Sequence, residues 1–66
     1  SMNARKYNRK TLDEWQIHVW YGSHGWEHET TEDSWKDARA QVKCYRENAP
    51  QYPVKVMKRR VRIDPT

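Results

Sequence analysis

Hydrophobic residues recur at helical spacing in one stretch of this chain, residues 34–47. Four of them share one stripe of a helix: Trp35, Ala38, Val42 and Tyr45. The other side of the helix carries four basic residues: Lys36, Arg39, Lys43 and Arg46. The spacing predicts a helix over Ser34–Glu47, with Ser34 or Thr31 as its N-cap residue. Pro50 lacks a backbone N–H and cannot continue the helix, so we expect the helix to end near Asn48.

Alternation of apolar and polar residues predicts three strands, at Glu14–Tyr21, Trp26–Thr30 and Val54–Ile63. One face of the first strand carries its apolar residues: Trp15, Ile17, Val19 and Tyr21. Trp20 breaks this pattern, because it falls on the polar face of the same strand. Since the helix lies between the second and third strands, the predicted order of elements is ββαβ.

The last strand changes the face on which its apolar residues lie. Val54 and Val56 share one face, whereas the alternation puts Val61 and Ile63 on the other. A β-bulge near Met57-Lys58 would return both pairs to the core face, and we therefore predict one there.

Two glycines, Gly22 and Gly25, bracket Ser23-His24 and predict a hairpin with a two-residue loop. In that register the opposed pairs are Tyr21 with Trp26, Val19 with His28, Ile17 with Thr30, His18 with Glu29, and Trp20 with Glu27. His18 and His28 then lie on opposite faces of the sheet. A loop longer by one residue would shift this pairing.

Together these elements predict an α+β fold, in which a three-stranded antiparallel or mixed sheet has one helix packed on one face. The expected strand order is 2-1-3, with the first strand central and antiparallel to both neighbours. The helix stripe is expected to cover the apolar side of the sheet: Trp15, Ile17, Val19 and Trp26. The other face is left to solvent or to a partner.

Composition limits what this fold can bury. The chain has 66 residues with no Phe, four Trp and four Tyr, so its core must combine aromatic rings with a few aliphatic residues. Its single cysteine, Cys44, excludes an intrachain disulfide and suggests a reducing compartment. No apolar run approaches the roughly 18 residues that cross a membrane. We therefore expect a cytoplasmic protein with no membrane contact.

Charge is distributed unevenly along the chain, whose net charge is +4. Nine of the thirteen basic residues lie in residues 5–10 and 55–62, whereas residues 13–47 hold eight acidic and four basic residues. We expect a basic flexible arm over residues 1–12, a single ββαβ domain over residues 13–63 and a tail over residues 64–66. Ser1, ahead of Met2, is expected to be a remnant of a cleaved tag.

Several short motifs together resemble a known group of proteins. They are Trp15-Gln16-Ile17, Tyr21-Gly22, Gly25-Trp26-Glu27, Thr30-Thr31-Glu32-Asp33, Tyr45-Arg46-Glu47-Asn48-Ala49-Pro50, Tyr52-Pro53 and Lys58-Arg59-Arg60-Val61. This pattern resembles small hypothetical proteins encoded by bacteriophages and prophages, over roughly residues 14–63. The resemblance implies expression in a bacterial cytoplasm during infection and a binding role rather than a housekeeping enzyme. It assigns no functional residues.

Metal binding and catalysis have few candidate residues. The soft ligands are three histidines and one cysteine: His18, His24, His28 and Cys44. Zinc needs three or four converging ligands, but the predicted register separates His18 from His28, so we expect no metal and no cofactor. Cys44 would need a base and an oxyanion site to act as a nucleophile, and no such partner is indicated. We therefore expect no enzymatic activity.

Aromatic and basic residues exceed what the core needs, and they define the candidate binding residues: Trp20, Lys55, Lys58, Arg59, Arg60 and Arg62. The leading interpretation is a non-enzymatic protein that contacts a host or phage macromolecule, preferably a protein, through this aromatic and basic face. A second interpretation is nucleic-acid binding through the basic last strand and the N-terminal arm. The same residues are also compatible with a homodimer, or with a basic edge strand that only prevents aggregation. A further alternative is a small enzyme or metal protein that uses Cys44 or the histidines.

Overall fold

A computed structural model of the chain describes residues 10–63. It contains three strands and one helix, β1 (Thr11–Trp20), β2 (Trp26–Glu32), α1 (Trp35–Asn48) and β3 (Val54–Arg62). The sheet has the order β2-β1-β3, and β1 is antiparallel to both neighbours. The predicted α+β fold and strand order are therefore confirmed. Within the described residues, no helix is long and apolar enough to span a membrane.

The helix begins and ends close to its predicted limits. The Ser34 side-chain oxygen accepts a hydrogen bond of 3.1 Å from the backbone N–H of Asp37, so Ser34 rather than Thr31 is the N-cap. At the other end the Ala49 N–H donates to the Tyr45 carbonyl at 2.8 Å. Local capping chemistry thus fixes the helix at both ends.

The core lies between α1 and one face of the sheet. Its buried apolar residues are small or medium in size: Ile17, Val19, Ala38 and Val42. Trp15, Tyr45, Val54 and Val56 pack around it and are partly buried. The predicted placement of Trp35 and Trp26 in this layer is wrong, since they are 52% and 40% exposed. Trp35 lies one turn before Ala38 and lines an outer groove of the helix with Arg39 and Lys43.

The first strand starts earlier than the sequence indicated. Thr11 and Leu12 already pair with Arg62 and Val61 of β3, so β1 begins three residues before the predicted Glu14. These two residues therefore belong to the sheet rather than to the predicted arm. The remainder of that arm, apart from Lys10, and the tail at residues 64–66 lie outside the described residues.

The pairing of β1 with β3 runs without interruption from Val19–Val54 to Thr11–Arg62. The bulge predicted near Met57-Lys58 is therefore wrong. Val61 lies on the face opposite Val54, because an unbroken strand alternates its side chains, and its cross-strand partner there is Leu12. Leu12 thus supplies an apolar neighbour on the far face, so Val61 does not need to reach the core.

The hairpin between β1 and β2 is one residue longer than predicted. A short 3-10 turn at Gly22–His24 connects the strands, and both flanking glycines have positive φ angles, 65° at Gly22 and 75° at Gly25. Trp20 consequently pairs with Trp26 instead of Glu27. A shift of one residue reverses the faces of a strand, so the predicted register is wrong beside the turn.

Further along the hairpin, a register shift between Ile17 and His18 leaves Glu29 without a partner. His18 pairs with His28 before this bulge, whereas Ile17 pairs with Thr30 after it, as predicted. The placement of His18 and His28 on opposite faces is therefore wrong.

Candidate binding face

The side of the sheet opposite α1 is here named the uncovered face. Ile17 and Val19 pack toward the helix, so the alternate residues of β1 and their cross-strand partners lie on the uncovered face. At its hairpin end, where β1 ends and β2 begins, is a group that we name the aromatic cluster: His18, Trp20, Trp26 and His28. Lys55 of β3, the partner of His18, lies beside it.

The two tryptophans form the exposed end of the aromatic cluster. Their ring centroids are 5.5 Å apart with an interplanar angle of 62°, an edge-to-face arrangement. Trp20 is 39% exposed and Trp26 is 40% exposed. The Lys55 ammonium lies 4.2 Å from the centroid of the Trp26 ring, which is a cation–π contact. Large aromatic surfaces and a positive charge therefore face outward together.

The two histidines stack with 5.0 Å between ring centroids and 14° between planes. His18 Nε2–H donates to the Gln16 side-chain oxygen at 3.1 Å, and the Gln16 amide donates to Glu14 at 3.0 Å. His28 Nε2–H donates to the Thr30 carbonyl at 3.1 Å. Both rings are therefore held through Nε2, and the Thr31 hydroxyl oxygen also lies 2.7 Å from His28 Nε2.

Protonation of His18 is disfavoured. Partial burial lowers the pKa of His18 below its usual value, and the neighbouring His28 ring and the Lys55 ammonium lower it further. His18 therefore presents a neutral, flat ring at neutral pH. An anionic group bound close to His18 would instead favour its protonated, positively charged form.

The bulge at Glu29 also affects which face of the sheet the acidic side chains of β2 occupy. Glu27 pairs with Val19 and Glu32 pairs with Trp15, which puts both carboxylates on the helix side. The Glu29 carboxylate lies near two tyrosines on that side as well and raises the pKa of each. Among the strand residues described, Glu14 is the acidic residue that alternation leaves on the uncovered face. The acidic middle of the sequence is thus directed mostly away from this face.

The six predicted binding residues divide between the two faces. Trp20, Lys55 and Arg59 lie on the uncovered face, whereas Lys58, Arg60 and Arg62 alternate to the helix side. Two of the latter approach the same carboxylate: the Lys58 ammonium lies 3.6 Å and the Arg60 guanidinium 3.2 Å from the oxygens of Asp13. All the same, the five basic residues follow one edge strand and form a rim that begins at Lys55, beside the aromatic cluster, and runs toward the other end of the sheet.

Sequence reasoning missed Trp26 and His28 as members of this face, because the shorter hairpin loop of the prediction puts both on the helix side. The pair of glycines predicts a turn but does not fix its length. A loop longer by one residue shifts the register, and that register places the missed residues on the uncovered face.

A second concave region lies on the helix side, between the C-terminal half of α1 and the end of the sheet. We name it the tyrosine cleft. It has a volume of about 390 Å³, and three tyrosines contribute to its wall: Tyr21, Tyr45 and Tyr52. Cys44 also lines it, with its sulfur accepting a hydrogen bond of 3.2 Å from the Asn48 amide. No described histidine or carboxylate lines this cleft beside the thiol.

Metal ligands do not converge in the part of the chain that the structure describes. Although His18 and His28 stack, no third histidine, cysteine or carboxylate joins them in residues 10–63 to make a group that could hold a metal ion. The prediction of no metal site rests on His18 and His28 lying on opposite faces of the sheet. The structure contradicts that separation.

Comparison with models of protein families, with curated protein sequences and with solved structures found no match. The resemblance to small phage and prophage proteins and the expected cytoplasmic location accordingly stay predictions. The geometry of the uncovered face therefore provides the basis for a functional proposal.

Proposed function

We propose that this chain is a non-catalytic binding protein that takes up single-stranded nucleic acid on its uncovered face. The observation that carries the proposal is the aromatic cluster, with Trp20 and Trp26 about two-fifths exposed beside Lys55. The sequence favoured a protein as the partner of this face. The register of the hairpin, which adds Trp26 and His28 beside His18, favours nucleic acid instead.

Base stacking is the first supporting argument. Every base has a flat π surface, so exposed aromatic side chains on a sheet can bind successive bases without reading a particular sequence. Trp20 and Trp26 pack edge to face, which leaves indole surface outward, and the stacked histidines extend the aromatic area along β1 and β2. Such a surface suits unpaired bases, because the bases of a duplex already stack on one another.

Charge is the second supporting argument. Lys55 and Arg59 lie on the uncovered face, and the remaining basic residues of β3 follow the same sheet edge. A strand whose bases stack on the cluster can direct its phosphates to this rim, releasing counterions as it binds. Glu27, Glu29 and Glu32 lie toward the helix side, which reduces the repulsion expected from an acidic central sequence.

A titration of fluorescein-labelled oligothymidylate, followed by anisotropy and by quenching of tryptophan fluorescence, tests this proposal. We expect binding that weakens with salt, with a log–log slope of about −0.7 for each phosphate neutralised. A duplex of equal length should bind more weakly, since its bases are not free to stack. The control is dextran sulfate, a polyanion without bases, which should not quench the tryptophans.

Three results would overturn the proposal. One is no anisotropy change at low salt, and another is quenching by dextran sulfate equal to that by the oligonucleotide. The third is a dimer in sedimentation velocity experiments that Trp20→Ala converts to monomer, because that result would assign the uncovered face to a second copy of the chain. Capture of a purified protein partner that competes with oligothymidylate would favour the protein interpretation instead.

A further inference from the structure

The tyrosine cleft is built from parts that the uncovered face does not use. Its apolar floor comes from Val19 and Val54, and its aromatic wall from Tyr21, Tyr45 and Tyr52. The Tyr21 and Tyr52 rings meet edge to face, with centroids 4.9 Å apart at 65°. A volume of about 390 Å³ lies within the range of small-molecule sites. The cleft therefore has the size and lining of a ligand pocket.

Glu29 lies close to two of these rings. It is the residue left unpaired by the β2 bulge, and its carboxylate acts electrostatically on both Tyr21 and Tyr45. Partial burial raises the pKa of each tyrosine above its usual value, and the Glu29 carboxylate raises both further. Both phenols thus stay neutral beside one carboxylate, and they line the same cleft from β1's end and from α1.

The electrostatics of the tyrosine cleft favour a positively charged ligand. Aromatic ring faces carry partial negative charge, and the Glu29 carboxylate adds a full negative charge near two of the rings. No lysine, arginine or histidine is among the described residues that line the cleft. A quaternary ammonium ion has no N–H group to leave unsatisfied, so its desolvation costs less than that of a primary ammonium, and its methyl groups can pack on the valines.

We propose that the tyrosine cleft binds a small organic cation of the methylated-ammonium class, held by cation–π contact with the three tyrosines. The Glu29 carboxylate contributes long-range attraction without touching the ligand. Quaternary ammonium groups are recognised by aromatic cages of this composition in general. The site is separate from the uncovered face, so it can be tested independently of nucleic-acid binding.

The test compares choline with its neutral carbon isostere, 3,3-dimethylbutan-1-ol, by NMR titration of the unmodified protein. The two probes match in shape and differ in charge. We expect choline to shift the ring protons of Tyr21, Tyr45 and Tyr52 and to bind more tightly than the isostere by about two- to thirty-fold. Equal binding of the two probes, or no shift with choline, would overturn the proposal. The amide of trimethyl-lysine, titrated in parallel, distinguishes a modified side chain from a free molecule as the better source of this cation.

Variants locate the site. Tyr52→Leu removes one ring at a position that is already 37% exposed, and it should weaken choline binding by about two- to thirty-fold. Glu29→Gln keeps the shape of the side chain and removes its charge, so it should weaken choline but leave the isostere unchanged. Trp20→Ala, on the uncovered face, is the matched control and should leave choline binding unaltered. Choline binding that falls in Trp20→Ala and persists in Tyr52→Leu would overturn the assignment.

Discussion

The two faces of the sheet use apolar residues in opposite ways. The helix-covered face buries Ile17 and Val19 almost completely against Ala38 and Val42, and these are small or medium side chains. The uncovered face presents tryptophan rings that are about two-fifths exposed. In a chain of 66 residues that can bury little surface, the largest apolar groups would be the most effective core residues. Their position outside the core separates the residues that stabilise the fold from those that are available for binding.

The largest expected effect tests the covered side of this comparison. Ile17→Ala leaves a cavity in the completely buried centre of the core, so we expect the free energy of unfolding to fall by about 2–5 kcal/mol. Met57→Ala on the uncovered face, where the side chain is 43% exposed, should change it by about 0.5 kcal/mol or less. Urea denaturation followed by circular dichroism measures both. If Ile17→Ala does not fold, Ile17→Val should still cost about 0.5–1.5 kcal/mol.

A stability loss in Met57→Ala as large as that in the Ile17 variants would contradict the comparison. It would mean that the uncovered face is a second core, closed by packing among its own side chains or by another copy of the chain.

The next prediction tests the uncovered side. Trp20→Ala and Trp26→Ala should each weaken binding of oligothymidylate by about 1–3 kcal/mol, because each removes one stacking surface. Anisotropy titrations at fixed salt provide the measurement. Trp35→Ala is the matched control, since Trp35 is also exposed but lies on the outer side of the helix, and it should leave the affinity unchanged. Equal losses in all three variants would show that tryptophan content, rather than the uncovered face, determines the affinity.

Removing the helix cap should affect stability without affecting binding. The Ser34 hydroxyl accepts from the Asp37 N–H at the start of α1, so Ser34→Ala should lower the free energy of unfolding by about 1 kcal/mol. The affinity for oligothymidylate should not change, because α1 lies on the covered side. Ser34→Asp, which preserves a capping oxygen, should recover most of the lost stability. A weaker affinity in Ser34→Ala at a temperature where the protein is fully folded would contradict the separation of the two faces.

The smallest expected effect concerns pH, and it has opposite signs for folding and binding. The pKa of His18 is lowered in the folded chain, so the unfolded state takes up a proton first as the pH falls through the usual histidine range, near ~6.5. The free energy of unfolding should therefore decrease below that pH. Affinity for oligothymidylate should increase over the same range, because nearby phosphates stabilise the imidazolium.

His18→Gln checks both signs. Thermal unfolding and anisotropy titrations between pH 8 and pH 5 should each lose part of their pH dependence in this variant. The groups that oppose protonation of His18 are the His28 ring and the Lys55 ammonium. The Glu14 carboxylate is connected to His18 through the hydrogen bonds of the Gln16 side chain. Affinity that falls with acid in the unmodified protein would show that phosphates do not approach the histidine pair.

Much of the fold follows from local patterns in the sequence. The helix from Trp35 to Asn48 differs from its predicted limits by one residue at each end, because its apolar spacing and its serine cap act locally. The ββαβ order and the central position of β1 follow from alternation and from the placement of the helix. These features depend on signals that extend over a turn of helix or a few residues of strand.

The faces of β2 could not be predicted in the same way. Its residues after Trp26 are mostly polar, so no apolar alternation indicates which side each one faces. The five-residue connection and the bulge at Glu29 each shift the register by one position, and a single shift exchanges the faces. Trp26 and His28 were misplaced for this reason. Trp20, at the end of a strongly alternating strand, was correctly expected on the polar side.

The indole N–H signals of the four tryptophans provide the most direct test of the central claim, that the uncovered face is the binding surface. In ¹⁵N-labelled protein titrated with oligothymidylate, we predict large shifts for Trp20 and Trp26 and little change for Trp35, which lies across the molecule. The Trp15 indole, packed beside the core on the helix side, should shift least. Shifts confined to Trp35, or equal at all four indoles, would contradict the account.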